Sequence, residues 1–415
     1  MNRRAILAAP TLATPVFLGR AQAQAPRIIT EEFMVPVGDG QEVFLRNKRP
    51  ETLTAFNPGR TLLMVHGATY PAHTAFDLPL GGLSWMDYIA GRGFDVWCLD
   101  LRGYGRSTRP PEMSQPPEAN PPLVRGEQAV ADIARAAAFI RERRALPKLT
   151  HLGYSWGTAL MGRFAAENAA LVERLVLYAP VWLRQGASLA DPGGTLGAYR
   201  YVTQEAARAR RGAGVPEAAR ASLVPPGWFE HWAGVTWATD PEGLRRNPPA
   251  LRAPNGSVAD GREFWAAGRP FYDPAKITAP TLLVLGEWDQ DTPPYMANAL
   301  FPLLTASPGK RLVLLGEGTH GMWMERNRGA LFQAVQIFLE EGAGWRRRAP
   351  PPHRGTPGHA VFRPIAPEHH CDGGRPPPGP ADGSGRGGRD ANPDQSPRPG
   401  PASPPHAAPS RCIRR

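Results

Sequence analysis

The chain has 415 residues and a formal charge of +11, from 48 Lys and Arg against 37 Asp and Glu. Its 3 cysteines are too few for a disulfide-held scaffold. Neither a dinucleotide or phosphate-loop fingerprint nor a His, Cys and carboxylate cluster with metal-ligand spacing is visible, so the sequence implies no cofactor and no metal.

Residues 1–23 open with Asn2-Arg3-Arg4, pass through a moderately apolar Ala5 to Gly19, and end in Ala21-Gln22-Ala23, a small-x-small pattern. This reads as an export signal cleaved after Ala23, which would place the mature protein in the periplasm or outside the cell. The paired arginines resemble a twin-arginine signal, although Pro10 and Pro15 interrupt the apolar part. The segment is too short and too broken for an integral membrane span.

Ile28 to Val37 and Glu42 to Arg46, separated by Gly38-Asp39-Gly40, predict an antiparallel hairpin. Six short apolar runs follow and read as buried parallel strands: Thr61 to Val65, Asp95 to Leu99, Leu149 to Leu152, Leu175 to Tyr178, Thr281 to Leu285 and Arg311 to Leu315. Helical patterns cover Gln128 to Arg143, Thr158 to Ala170 and Gly329 to Glu341. Alternation of strands and helices predicts an α/β fold, a mostly parallel central sheet with helices on both faces. Cys98, inside an apolar run, reads as a small core residue.

The stretch between the strand ending at Tyr178 and the one starting near Thr281 is longer than a crossover needs. Residues 181–270 read as a mostly helical inserted cap, with 28–180 and 271–344 forming the core. The cap region is rich in aromatics, including Tyr199, Trp228, Trp232, Trp237 and Trp265. They either line an apolar pocket or form the cap's own core. No charged pocket signature for an acidic or cationic substrate is visible.

From Arg346 the composition turns to Pro, Gly, Ala and Arg, and residues 346–415 are expected to be disordered because they cannot bury enough apolar surface. That tail carries a net +7, and Arg3, Arg4 and Arg20 add to it, leaving about +1 for residues 24–345. The basic pI of about 10.0 therefore says little about the folded part. The tail lacks interleaved aromatics and sits behind an export signal, so no nucleic-acid partner is implied.

Unusual residues fall at the strand ends, where ligands of open α/β sheets bind. After the first parallel strand comes His66-Gly67-Ala68-Thr69, and after the second Asp100-Leu101-Arg102-Gly103-Tyr104-Gly105. Gly153-Tyr154-Ser155-Trp156-Gly157 joins an apolar run directly to a helix, which fits a tight turn with an exposed serine hydroxyl. Gly286-Glu287-Trp288-Asp289-Gln290-Asp291 and Gly316-Glu317-Gly318-Thr319-His320 follow the last two strands. Serine, aspartate and histidine thus occur in that order, each just past a strand.

On these five motifs the chain, from about Ile28 to Gly344, resembles the α/β-hydrolase superfamily. The resemblance implies Ser155 as nucleophile, Asp289 as acid and His320 as base, with an oxyanion hole from the backbone N–H groups of Ala68 and Trp156. A serine in place of the nucleophilic aspartate disfavours haloalkane dehalogenase and epoxide hydrolase chemistry. The residue types suit acyl transfer on physical grounds too. A serine hydroxyl needs a base, imidazole titrates in the useful range, and a carboxylate fixes its tautomer. Asp291, two residues on, is an alternative acid, with Asp289 then capping a helix near Pro293. His66 reads as shaping the oxyanion loop through its own hydrogen bonds. His73, His151 and His231 read as structural, and Asp100 as a turn or capping residue. Trp182 and Tyr154, beside the strand ends, are candidate pocket walls.

The expected function is a serine hydrolase cleaving a small or medium carboxylic ester. Amide or aminopeptidase-like hydrolysis, carbon–carbon bond hydrolysis, and a catalytically silent binding protein on the same fold are the alternatives. The sequence does not fix an oligomeric state.

Overall fold

The computed structural model describes residues 26–341. The expected export signal, the tail with its two cysteines, and the last few residues assigned to the core lie outside the described residues.

Among the described residues ten strands occur in chain order: β1 Ile28–Gly38, β2 Gln41–Pro50, β3 Thr61–Val65, β4 Asp95–Asp100, β5 Leu149–Tyr154, β6 Val172–Tyr178, β7 Tyr199–Thr203, β8 Ala250–Pro254, β9 Thr281–Gly286 and β10 Arg311–Leu315. Eight form one sheet in the order β1-β2-β4-β3-β5-β6-β9-β10. β1 pairs antiparallel with β2, and β2 with β4; every other neighbour in that sheet is parallel. The sequence-predicted hairpin and six strands are all present.

Helices α1 Ala72–Phe76 and α2 Trp85–Ala90 lie between β3 and β4, α3 Gly126–Arg144 between β4 and β5, and α4 Trp156–Glu167 between β5 and β6. The long insertion holds α5 Gln204–Arg211, α6 Glu217–Leu223, α7 Trp228–Trp237, α8 Pro241–Leu244 and α9 Gly256–Asp260, and α10 Pro294–Leu300 and α11 Arg328–Glu340 complete the set.

Side chains alternate across a strand, so each parallel strand feeds two cores. On β3 and β9, Leu63, Val65, Leu283 and Leu285 pack with Ile133, Phe164 and Met296 of α3, α4 and α10. Leu62, Met64, Leu282 and Val284 face the other way, onto Phe76, Trp85 and Phe338 of α1, α2 and α11. Burial on both faces is why these strands read as unbroken apolar runs. Cys98 is buried and free in β4. The short helix α2 was not evident from periodicity; it is fixed instead by a capping box, in which Ser84 Oγ accepts from Asp87 N at 2.9 Å and Asp87 Oδ2 accepts from Ser84 N at 3.3 Å.

The insertion is mostly helical, as expected, but also contains an unforeseen two-stranded antiparallel sheet, β7 with β8. Asp260 ties it to the core: its Oδ2 accepts from Gly126 N at 2.7 Å and its Oδ1 from Arg125 Nε at 2.6 Å, satisfying the start of α3. Its aromatics divide between the cores: Phe229, Trp232 and Trp237 pack beside Trp323 on one sheet face, Trp182 and Trp265 join the other, and Tyr199 packs with Met113.

Candidate active site

Ser155 sits between β5 and α4 with φ 57° and ψ −124°, a conformation that costs a side-chain-bearing residue of order 1–3 kcal/mol. The close approach of strand and helix requires the flanking glycines. A Cβ on Gly153 would strike the Gly157 carbonyl, and one on Gly157 the carbonyls of Val65 and His66. The turn is locked by Ser155 N donating to Tyr178 O at 3.0 Å and by Thr158 Oγ1 donating to Ser155 O at 2.6 Å.

His320, in the loop after β10, places Nε2 2.8 Å from Ser155 Oγ. Two tyrosine hydroxyls hold its backbone: Tyr154 and Tyr178 both donate to His320 O at 2.9 Å. The preceding Thr319 donates its N–H to Glu325 Oε2 at 3.0 Å and its hydroxyl to Oε1. Burial pushes the Glu325 carboxyl above the usual range, partly offset by these hydrogen bonds. These tyrosines and Glu325 fix the His320 loop, and only the position of Tyr154 next to Ser155 hinted at it in sequence.

Of the two aspartates, Asp289 is the one that lies against His320. His320 Nδ1 lies 2.8 Å from Asp289 Oδ2, and the Asp289 side chain is fully buried. Asp289 also accepts from Thr292 Oγ1 at 2.8 Å and, through Oδ1, from the N–H groups of Asp291 at 2.9 Å and Thr292 at 2.8 Å. Asp291 instead pairs with Arg210, whose Nη2 is 2.6 Å and Nε 2.9 Å from its Oδ1. Burial alone would raise the Asp291 carboxyl, but Arg210 and next His320 hold it below its ordinary value.

Trp156 opens α4, so its N–H belongs to the unpaired first turn of a helix. The Ala68 carbonyl, on the following peptide, anchors the loop by accepting from Tyr104 OH at 3.1 Å and Arg200 Nη2 at 3.0 Å. His66 acts on the same loop: Leu101 N donates to its Nε2 at 3.1 Å, leaving Nδ1 to donate to Gly67 O at 2.7 Å. Burial lowers its pKa to about 4, so it stays neutral. His73, read as structural, bonds Asp100 Oδ2 through Nδ1 at 2.7 Å; Asp100, which ends β4 rather than lying in a turn, also accepts from Arg106 N at 3.1 Å. His151 is buried in β5 and His231 exposed on α7.

Two small pockets, each with room for the centres of a few water molecules (about 40 Å³), meet at Ser155. One is bounded by Tyr70, Tyr154, Arg211, His320 and Trp323, the other by Trp156, Val181, Arg184, Trp265 and Thr292. Ala68, Ser155, Arg210 and Asp291 border both. Tyr154 is therefore a pocket wall as expected. Trp182 is not: it is buried against Tyr272, with ring centroids 5.4 Å apart, and borders neither pocket. The sequence showed no charged pocket signature; in the structure α5 brings Arg210 and Arg211 to the site. Nothing in the local run Ala207-Arg208-Ala209-Arg210-Arg211 distinguishes those two from a solvated basic helix end.

Ser155, His320 and Asp289 thus form a continuous hydrogen-bonded chain beside two backbone N–H groups, an arrangement able to activate a hydroxyl and to meet a developing oxyanion. Among the described residues no helix is long and apolar enough to cross a membrane.

A family profile described as the alpha/beta hydrolase fold matches residues 60–214. Among solved structures, 2-hydroxy-6-oxo-6-phenylhexa-2,4-dienoate hydrolase from Rhodococcus sp. strain RHA1 is 17% identical with a TM-score of 0.51, over 75% of this chain and 99% of that one. A serine hydrolase involved in carbazole degradation gives the same values. A bromoperoxidase from Bacillus anthracis is 15% identical with a TM-score of 0.51, over 75% of this chain and 100% of its own. At such identities the likeness is one of fold. No curated protein matches the sequence. With its strand order, its serine turn and these likenesses together, the chain has the α/β-hydrolase fold.

Proposed function

We propose that the protein is a serine hydrolase that cleaves a carboxylic ester of modest size through an acyl-enzyme. The observation that carries this reading is the chain Ser155 Oγ, His320 Nε2, His320 Nδ1, Asp289 Oδ2, with both hydrogen bonds at 2.8 Å, at a positive-φ turn open to two pockets.

Ser155 Oγ attacks the ester carbonyl while His320 Nε2 takes its proton, and Asp289 stabilises the imidazolium. The carbonyl oxygen becomes an alkoxide, received by the N–H groups of Ala68 and Trp156; one such donor is commonly worth about 3 kcal/mol of barrier. His320 then returns the proton to the departing alkoxide, leaving the acyl group on Ser155. Water, deprotonated by the same imidazole, attacks the acyl carbonyl and restores the serine. The base must reach the leaving oxygen, so the departing half belongs in the pocket that His320 borders, and the acyl half beside Trp156, Val181 and Trp265.

The test is a pre-steady-state experiment with 4-nitrophenyl acetate. We expect a burst of about one equivalent of nitrophenol per protein, with a trapped acyl group on the peptide containing Ser155. A folded protein that releases nitrophenol with no burst and no acylated serine peptide in a quench at saturating substrate would contradict the acyl-enzyme route. We also propose that residues 1–23 direct export; the mature N-terminus is then Gln24, and an intact Met1 on the exported protein would refute it.

A further inference from the structure

The buried arginines near the site have acceptors. Arg102 pairs with Asp132, Arg252 with Asp240, Arg210 with Asp291, and Arg200 donates to the carbonyls of Ala68 and Pro254. Arg211 differs. It ends α5 and borders the pocket shared by Ser155 and His320, yet among the described residues it makes no hydrogen bond and no ion pair, and its Nε is buried with no partner.

Its guanidinium is nevertheless held firmly. Its central carbon lies 4.2 Å from the ring centroid of Trp232, 5.1 Å from that of Trp323 and 5.7 Å from that of Tyr70. Space for it exists because residue 321 is glycine: a Cβ there would strike Arg211 Nη1. Glu325, a buried acid on which the Arg211 charge acts, is occupied by Thr319 on both oxygens. Aromatic faces attract a cation but accept no N–H hydrogen bonds in its plane, so a partly desolvated guanidinium is left with its donors unmet. The Tyr70 hydroxyl on the same pocket wall also lacks a hydrogen bond among the described residues, and the charges of Arg211 and Arg210 both act on it.

We propose that this pocket is a carboxylate subsite: the departing half of the substrate carries a carboxylate, received by the planar fork of Arg211 with the Tyr70 hydroxyl beside it. A carboxylate matches the guanidinium in geometry and charge, and supplies the acceptors that the protein does not. The placement on the departing half rests on the ester-hydrolase reading of Ser155 and His320, because the same pocket is the one from which His320 protonates the leaving oxygen.

The test compares kcat/KM for 3-carboxyphenyl acetate and phenyl acetate, two esters whose leaving groups differ mainly in charge, in the full-length protein. The expected preference for the anionic ester is about 10- to 100-fold, the range for a hydrogen bond to a charged group. Arg211→Met should bring the ratio to about one or below, while Arg211→Lys, which keeps the charge, should retain part of it. The ratio reports recognition rather than fold, and the lysine variant covers the case in which the methionine variant fails to fold. A preference that is absent in the wild-type protein, or that survives in Arg211→Met, overturns the subsite. A second arm does not depend on turnover. Calorimetry with Ser155→Ala should detect binding of 3-hydroxybenzoate, weakened at least tenfold when Arg211→Met is added. If neither ester is cleaved but this binding is found, the ester reading falls and the subsite stands; no heat at millimolar 3-hydroxybenzoate overturns the subsite whatever the ester result.

Discussion

Replacing Asp289 by Asn should abolish most of the activity while leaving the site's shape nearly intact. Oδ1 of Asp289 accepts two backbone N–H groups, from Asp291 and Thr292. An Asn there must keep its carbonyl oxygen on those donors, since turning the amide toward them sets N–H against N–H twice, at about 1–3 kcal/mol each. Its NH2 group is then forced onto His320 Nδ1, where Asp289 Oδ2 now accepts at 2.8 Å. The imidazole answers by placing its proton on Nε2, the atom that must take the proton from Ser155. A tautomer inverted in this way costs serine hydrolysis about 10⁴-fold in kcat, or about 5.4 kcal/mol. Stopped-flow hydrolysis of 4-nitrophenyl acetate at pH 7.5 measures it directly. Asp291→Asn is the control and should lower kcat less than tenfold. A folded Asp289→Asn protein keeping more than a tenth of wild-type kcat, or an Asp291→Asn protein losing a thousandfold, would refute the assignment of the acid.

The Arg210 pair makes Asp291 a stability group with a definite pH signature. Its carboxyl is held below its ordinary value in the folded chain, so its contribution is complete above the unfolded pKa of about 3.9 and is lost as pH falls through that value toward the folded one. Asp291→Asn should therefore cost about 1–3 kcal/mol in urea unfolding at pH 7, less than a fully buried pair because Arg210 is partly open to the pocket, and up to about 0.7 kcal/mol less than that near pH 3.5. An unchanged penalty at the two pH values would show that the pair's charge is not its source. The Tyr154 and Tyr178 hydroxyls position His320 through its carbonyl, so Tyr178→Phe should lower kcat by about 2- to 10-fold with little change in KM, and the double Tyr154→Phe/Tyr178→Phe variant should lower it further. Equal kcat in single, double and wild-type proteins would remove that role.

The fold was legible because its signals are local or short-range. Strands such as Thr61 to Val65 are buried on both faces and so read as continuous apolar runs, and Gly153 and Gly157 mark a turn where strand and helix backbones nearly touch. The order serine, aspartate, histidine singled out Ser155 and His320, which the structure brings within 2.8 Å of each other. What spacing could not settle was Asp289 against Asp291, which depends on Arg210 arriving from α5 about eighty residues earlier in the chain. The same helix supplies Arg211, and with it the charge that a reading of the strand ends could not see. Short elements were missed for a related reason: α2 is held by a capping box and β7 with β8 by each other, neither long enough to show a period. Trp182 was misplaced because proximity to a strand end does not decide which side of the chain a ring faces, and here it faces Tyr272 in the core.

The central claim is that Ser155 is an activated nucleophile. A fluorophosphonate probe tests it most directly, since it phosphonylates only a serine whose proton can be taken and whose developing oxyanion is stabilised. The account predicts one label per protein, located on Ser155, absent from Ser155→Ala and slowed by orders of magnitude in Asp289→Asn. A folded wild-type protein that stays unlabelled, or one labelled equally in Ser155→Ala, would contradict it.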